Sequence, residues 1–162
     1  MSDKTNYSIG VDYGSNSVRC VVVNLADGSE CGSAVFNYPT GDKGVLTDPK
    51  NPHVARQNPQ DFIDGLAATI VPALQQAESV PGFSRESVVG IGVDTTGSTP
   101  IPVDETLTPL SLKPEFSGNL NAQAWMWKDH TGMDEAEKIT TRPSQHRPQF
   151  LAKCGGTYSS EW

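Results

Sequence analysis

Residues Ile9-Gly10-Val11-Asp12-Tyr13-Gly14-Ser15-Asn16-Ser17-Val18-Arg19 join two apolar runs through a turn of small residues, with one carboxylate at its mouth. Ser8 to Asp12 reads as a strand, and Val18 to Leu25 reads as a second, more deeply buried one. A connection this short makes the pair an antiparallel β-hairpin. Gly14 permits a backbone conformation closed to other residues and a close approach of a ligand to the main chain. Ser15, Asn16 and Ser17 contribute hydroxyl and amide groups, and the turn's N–H groups can face anionic oxygens. Asp12 is repelled by phosphate itself but suited to hold magnesium, or its bound water, beside one. Two readings stand: a nucleotide-phosphate loop, or a hairpin turn with a solvated aspartate. It is no Walker loop, lacking G-x-x-x-x-G-K-[ST]. It is no dinucleotide fingerprint either, since a strand and not a helix follows Gly14.

A chain of 162 residues suits one ordinary core or one domain of something larger. Its net charge of −7 argues against a nucleic-acid surface, which needs clustered Lys and Arg. Met1 to Asn6 lacks the apolar stretch of a signal peptide, and no run approaches the roughly 18 apolar residues of a membrane span. Cys20, Cys31 and Cys154 are odd in number and widely spaced, which supports neither a disulfide framework nor a zinc site. Cys20 is expected to pack as a small hydrophobe. A reducing, cytoplasmic setting is the expectation.

Asp27-Gly28 makes the next turn, and Glu30 to Tyr38 can form a third strand, so three sequential antiparallel strands open the domain. Residues 39–58, rich in Pro, Gly and polar groups, read as a long loop. Asn58-Pro59 then supplies an N-cap and a Pro at the first helical position. Phe62, Ile63, Leu66, Ala67, Ile70 and Leu74 keep helical spacing, with Pro72 expected to kink the helix or end it early. Val88 to Val93 reads as a deeply buried strand leading to Asp94. After a helical crossover it should pair in parallel with the first hairpin. Ile101–Val103 and Leu107–Leu112 read as short strands around an Asp104 turn. Ala124 to Trp127 is a third apolar run, in which Trp125 and Trp127 share a face and read as core, and it leads to Asp129. Met133 to Thr141 is helical, with Pro143 and Pro148 expected to interrupt it. Lys128 reads as surface, and His130 lacks partners at metal-ligand spacing.

Three apolar runs thus lead to Asp12, Asp94 and Asp129, and ligands bind at such strand ends in sheets with parallel strands. The order strand–strand–strand–helix–strand resembles the ribonuclease-H-like half-domain of actin-type phosphotransferases, an α/β fold whose mixed sheet opens with three antiparallel strands and is flanked by helices. Asp12, Gly14, Ser15 and Arg19 resemble the phosphate-binding pattern D-x-G-[ST]-x-x-x-R of the FGGY carbohydrate kinases. Gly90 to Pro100, with Asp94-Thr95-Thr96-Gly97-Ser98 at its centre, resembles the sugar-side loop of that family's L-ribulokinase branch. Lys113-Pro114-Glu115-Phe116, Trp127-Lys128-Asp129-His130-Thr131 and Gly155-Gly156-Thr157-Tyr158-Ser159-Ser160-Glu161-Trp162 resemble the same branch in the same order.

The resemblance implies ATP-dependent phosphorylation of L-ribulose at its 5-hydroxyl in L-arabinose catabolism, with ATP and Mg2+ as cofactors. It implies that Asp12 coordinates magnesium or its water. Gly14, Ser15, Asn16 and Ser17 approach the phosphates, and Arg19 braces the loop or offsets phosphate charge. Thr95, Thr96, Gly97 and Ser98 line the sugar pocket, with Asp129 and Tyr158 as polyol contacts. Phosphoryl transfer rests mostly on positioning and charge stabilisation, which suits such a set. Family members are much longer, so residues 1–162 are expected to be an incomplete N-terminal domain. The adenosine-binding domain and the general base would lie outside it. Losing a general base costs about 10²–10⁴ in rate, so this chain alone is expected to turn over poorly. The alternatives are an inactive remnant binding sugar or phosphate weakly, or a kinase for D-ribulose or xylulose. Homo-oligomerisation is left open, no nucleic acid or membrane partner is expected, and Leu151, Ala152 and Trp162 are expected in an exposed apolar patch.

Overall fold

A computed structural model of the chain describes residues 5–161; Trp162 lies outside them. Its contacts fall into two units, residues 1–45 with 58–96 and residues 46–57 with 97–162.

In the first unit, β1 (Tyr7–Tyr13), β2 (Ser17–Asn24) and β3 (Glu30–Asn37) form the expected antiparallel meander. Strand alternation sends Tyr7, Ile9 and Val11 to the same side as Val18, Cys20 and Val22, and all six are buried. Gly28, at φ +75°, makes the β2–β3 turn. Cys20 packs as a hydrophobe, and burial pushes its thiol up from the ordinary value. Among the described residues all three cysteines are free.

Helix α1 (Pro59–Ala77) starts where expected: Asn58 accepts the Gln60 N–H at 3.0 Å, with Pro59 in the first turn. The buried face differs from the expected one. Asp61, Gly65, Thr69, Ala73 and Ala77, spaced four apart, are buried, while Ile63, Leu66 and Ala67 are exposed. Phe62, Ile70 and Leu74 pack only at the flanks of the core. The reason is close approach, because the helix and β3 meet through small residues. A Cβ on Gly32 would lie 2.2 Å from the Ala73 carbonyl oxygen, and one on Gly65 would lie 2.3 Å from Val18 Cγ1. The helix also runs through Pro72 and does not end there. A mid-helix Pro costs about 3 kcal/mol, and the contact of the Ala73–Ala77 turn with β3 offsets it.

Strand β6 (Val88–Thr95) pairs in parallel with β1, as expected, completing a sheet of order β3-β2-β1-β6. Its burial is not as expected: Val89, Ile91 and Val93 are 60–61 % exposed. β6 is the sheet edge, and α1 packs on β2 and β3 well away from it.

In the second unit, β4 (Leu46–Asp48) and β5 (Asn51–Gln57) form a hairpin inside the segment read as loop, and β7 (Ala124–Trp125) adds antiparallel to β5. The alternation signal was masked because buried Arg56 and Gln57 interrupt the apolar pattern. The two short strands expected around Asp104 reduce to one bridge, Val103 with Pro109, followed by a 3-10 turn at Leu110–Leu112. Pro100, Pro102 and Pro109 remove the donors a ladder needs. Helix α2 (Met133–His146) runs past Thr141 and through Pro143, ending where the Arg147 N–H meets the Pro143 carbonyl at 2.7 Å. Pro148 opens a separate 3-10 turn. Leu151 is buried, so it forms no exposed patch. No helix among the described residues is long and apolar enough to cross a membrane.

Gly65→Ala decides between two opposing effects. Alanine favours a helix over glycine by about 1 kcal/mol, but the clash with Val18 and Phe36 costs on the order of 1–3 kcal/mol. The expected outcome is net destabilisation, read as a lower midpoint in urea unfolding, whereas solvent-facing Ala67→Gly should lose about 1 kcal/mol by propensity alone.

Candidate functional site

The sheet register places three charged residues side by side. Asp12 of β1 pairs across to Arg19 of β2 on one side and to Asp94 of β6 on the other. Directly opposed residues project from the same face, so all three stand on the face away from α1. There they rim an open concavity of about 630 Å³, lined also by Gly10, Gly92, Val21 and Val35. Arg19 Nη2 lies 2.8 Å from Asp12 Oδ2, with both side chains about half exposed. An exposed pair of this kind contributes at most about 1 kcal/mol, so its consequence is geometric: it fixes the direction of the carboxylate. The other Asp12 oxygen has no hydrogen-bond partner among the described residues.

Gly14 leaves room for this pair. A Cβ there would lie 2.7 Å from Arg19 Nη2, and the Gly14 N–H closes the turn on the Ser17 carbonyl at 2.9 Å. Ser15 and Ser17 lie in the same turn, at its tip and at the start of β2. Asn16 is exposed in the same turn. Its Nδ2 donates to the Lys43 carbonyl at 2.6 Å, and its own carbonyl accepts the Tyr38 N–H at 3.0 Å. Its amide braces the tip against residues 38–43.

Beneath the tip, Tyr13 and Tyr38 both meet Phe62 edge-on, with centroids 6.1 and 5.5 Å apart. Burial, with the charges of Asp61 and Asp12 nearby, pushes the Tyr38 phenol well above its ordinary value. Buried Asp61 accepts the Thr40 hydroxyl at 2.7 Å and the Thr40 N–H at 3.1 Å, anchoring the chain after β3 to the first turn of α1.

Asp94 is exposed, and its Oδ1 accepts the Thr95 N–H at 3.0 Å. Thr96 extends the β1–β6 ladder by donating its N–H to the Tyr13 carbonyl at 3.1 Å. The boundary between the units falls after Thr96, so the expected sugar loop straddles it. Gly97 and Ser98 are exposed, and Ser98 sits at φ +51°, a left-handed conformation rare for serine.

In the second unit Asp129 is 5 % exposed and occupied. It forms an ion pair with Arg56, itself 1 % exposed, accepts the Ala55 N–H at 2.7 Å, and accepts the Thr131 N–H at 3.0 Å. The Arg56 guanidinium lies 3.7 Å from the Trp125 ring centroid. A polyol hydroxyl reaching Asp129, as expected from the sequence, would have to share or displace one of these partners. Sequence reading passed over Arg56, and no periodicity marks it. Trp125 and Trp127 also differ from the expected core pair. Trp125 lies beneath Arg56 and donates its indole N–H to the Asn121 carbonyl at 3.2 Å, while Trp127 is 41 % exposed. Lys128 is on the surface, as expected. Tyr158 is held to α2 by its N–H, 2.9 Å from Thr140 Oγ1. His130 meets the Ser160 hydroxyl at 2.9 Å, and the described residues contain no His, Cys, Asp or Glu cluster able to hold a metal.

Lys113, first residue of the motif Lys113–Phe116, pairs with Asp104. That contact, the Thr106 hydroxyl and the Thr108 N–H hold the Asp104 carboxyl well below its ordinary value. A lowered folded value means a contribution present above the unfolded value and lost as pH falls through the folded one. The Asp104 resonance in a two-dimensional NMR titration should therefore move only at pH below the range of an unfolded aspartate.

Residues 7–158 match the N-terminal domain of the FGGY family of carbohydrate kinases. A ribulokinase of Vibrio parahaemolyticus is 43 % identical over 155 residues, covering 95 % of this chain and 27 % of the relative. One from Geobacillus thermodenitrificans is 39 % identical over 160 residues, covering 96 % and 28 %. This chain thus spans little more than a quarter of their length. Among solved structures, Plasmodium falciparum glycerol kinase with ADP superposes with a TM-score of 0.66 at 15 % identity, covering 98 % of this chain and 27 % of that one. Gluconate kinase from Lactobacillus acidophilus gives 0.62 at 15 % identity, covering 86 % and 23 %. At these identities the structural likeness is one of fold, and it agrees with the α/β class expected from the sequence.

Removing Asp129 leaves a buried, unpaired guanidinium. Asp129→Ala should cost about 3–5 kcal/mol, whereas Arg56→Met combined with Asp129→Leu should cost far less. Urea unfolding followed by Trp125 fluorescence reads both.

Proposed function

This chain belongs to the FGGY family of carbohydrate kinases, and from that premise we propose that it supplies the phosphate loop and sugar-side loop of an ATP-dependent kinase acting on L-ribulose. The observation that carries the proposal is the Asp12–Arg19 hairpin with Asp94 beside it, in a chain 43 % identical to a ribulokinase. The product would be L-ribulose 5-phosphate, and ATP and magnesium would be the cofactors.

The donor set at the hairpin fits those cofactors. Asp12 keeps one oxygen clear of Arg19, and Gly14 itself adds no side chain to the turn. Gly14, Ser15 and Ser17 would face the phosphate oxygens, and Asp12 would hold magnesium through water. Arg19 keeps the Asp12 carboxylate in place. Bound ATP supplies the phosphoryl group, and magnesium offsets its charge. Thr95, Thr96, Gly97, Ser98 and Tyr158 would present hydroxyls and amides to the sugar, and Asp129 would hold the segment around Trp127 in position.

L-Ribulose titrated into the labelled chain should perturb the amides of Thr95–Ser98 saturably, with D-ribulose and D-xylulose weaker by roughly tenfold, the size of one well-made polar contact. Magnesium should strengthen inorganic triphosphate binding in the native chain and lose that effect in Asp12→Ala. Equal response to all three pentuloses would overturn the sugar assignment, and an unchanged magnesium effect would overturn the role of Asp12. ADP release with ATP, magnesium and L-ribulose separates an enzyme from a binding portion.

A further inference from the structure

Arg19 is the cation the hairpin motif provides, and Asp12 already neutralises it. Asp94 stands beside that pair and adds negative charge. A polyphosphate approaching the tip therefore meets a local balance of −1 before any metal arrives.

The structure brings a second cation to the same tip. Asp42 and Val45 exchange N–H···O bonds of 3.0 and 3.1 Å, which closes a two-residue turn at Lys43-Gly44. Lys43 has φ +51° and Gly44 φ +85°. Gly44 lies against the ring of Tyr38, where a Cβ would come within 2.7 Å of Tyr38 Cβ, so the turn cannot shift freely. Asn16, at the apex of the hairpin, donates to the Lys43 carbonyl at 2.6 Å, and the Tyr38 N–H donates to the Asn16 carbonyl. One hydrogen bond thus ties the lysine turn to the hairpin tip, and a second ties Tyr38 to it.

Lys43 is exposed and joins no ion pair among the described residues. A solvated turn residue would be the plain account of it. Its backbone argues otherwise, because the left-handed region penalises residues with a Cβ by about 1–2 kcal/mol and favours Gly and Asn. Either would close this turn at lower cost, so the fold gives no reason for lysine there. Its ammonium group does.

We propose that Lys43 is the phosphate-binding cation of the hairpin, contacting the polyphosphate while Arg19 stays committed to Asp12. The proposal rests on the phosphate-loop reading above. Asn16 then has a defined purpose: its amide sets the lysine turn and contacts no phosphate. Asp42, next in the chain, is the acidic neighbour of Lys43 in its turn, and the Asp12 carboxylate is held by Arg19.

The test is a ¹⁵N NMR titration of the 162-residue chain with magnesium tripolyphosphate, following the amides of Gly14 to Arg19. Lys43→Asn removes the charge and suits the backbone, so its unfolding midpoint should hold or rise; Lys43→Arg keeps the charge. Expected are saturable shifts in the native chain, affinity roughly threefold to tenfold weaker in Lys43→Asn with a flatter salt dependence, and near-native affinity in Lys43→Arg. Native affinity in Lys43→Asn, with saturable shifts intact, would overturn the role of Lys43 and leave the phosphate-loop reading standing. An equal loss in Lys43→Arg would also overturn it, since charge would then not be the cause. Absence of saturable shifts in the native chain would overturn the phosphate-loop reading, and the Lys43 proposal with it.

Discussion

The first unit depends on how closely α1 lies against β2 and β3. Gly65 meets Val18 and Gly32 meets the Ala73 carbonyl at separations that leave no room for a methyl group. Close-packed interiors transmit such constraints because no void absorbs a shift. The helix is therefore fixed against the meander along its length by small residues, and its large apolar side chains fill only the flanks.

That placement reaches the hairpin tip through a short chain of contacts. The first turn of α1 carries Asp61, which holds Thr40, and Phe62, which holds the rings of Tyr13 and Tyr38. Tyr38 and the following turn then hold Asn16. The tip is built of small residues, Gly14, Ser15 and Ser17, which bring no apolar side chain of their own. Its conformation is imposed from below by a buried carboxylate and three aromatic rings. A loop that must present backbone N–H groups to a ligand gains from this arrangement, because support from behind leaves the front unobstructed.

The second unit is organised around a different interaction. Arg56 and Asp129 are among its most buried side chains, and removing two charges from water is costly unless their hydrogen bonds are made. The Ala55 and Thr131 N–H groups satisfy the carboxylate, and the Trp125 ring covers one face of the guanidinium. The pair joins β5 to the segment after β7, two stretches more than seventy residues apart in the chain. Its value is directional more than energetic: a hydrophobic pair could fill the space, but it would not set which backbone groups meet.

The sequence alone determined what local rules govern. Alternation in β1 and β2 placed Asp12 at the hairpin mouth, the Asn58-Pro59 pair set the start of α1, and the crossover length made β6 parallel to β1, which brings Asp94 beside Asp12. Each follows from side-chain periodicity, capping chemistry or chain connectivity over a few residues. The tertiary structure alone decided the face of α1 that is buried, the exposure of β6, the β4–β5 hairpin and the Arg56–Asp129 pair. These depend on which distant surface arrives opposite a given residue. An apolar run such as Val88–Val93 reads the same whether or not another element covers it, and a buried arginine is legible only once its carboxylate is in place.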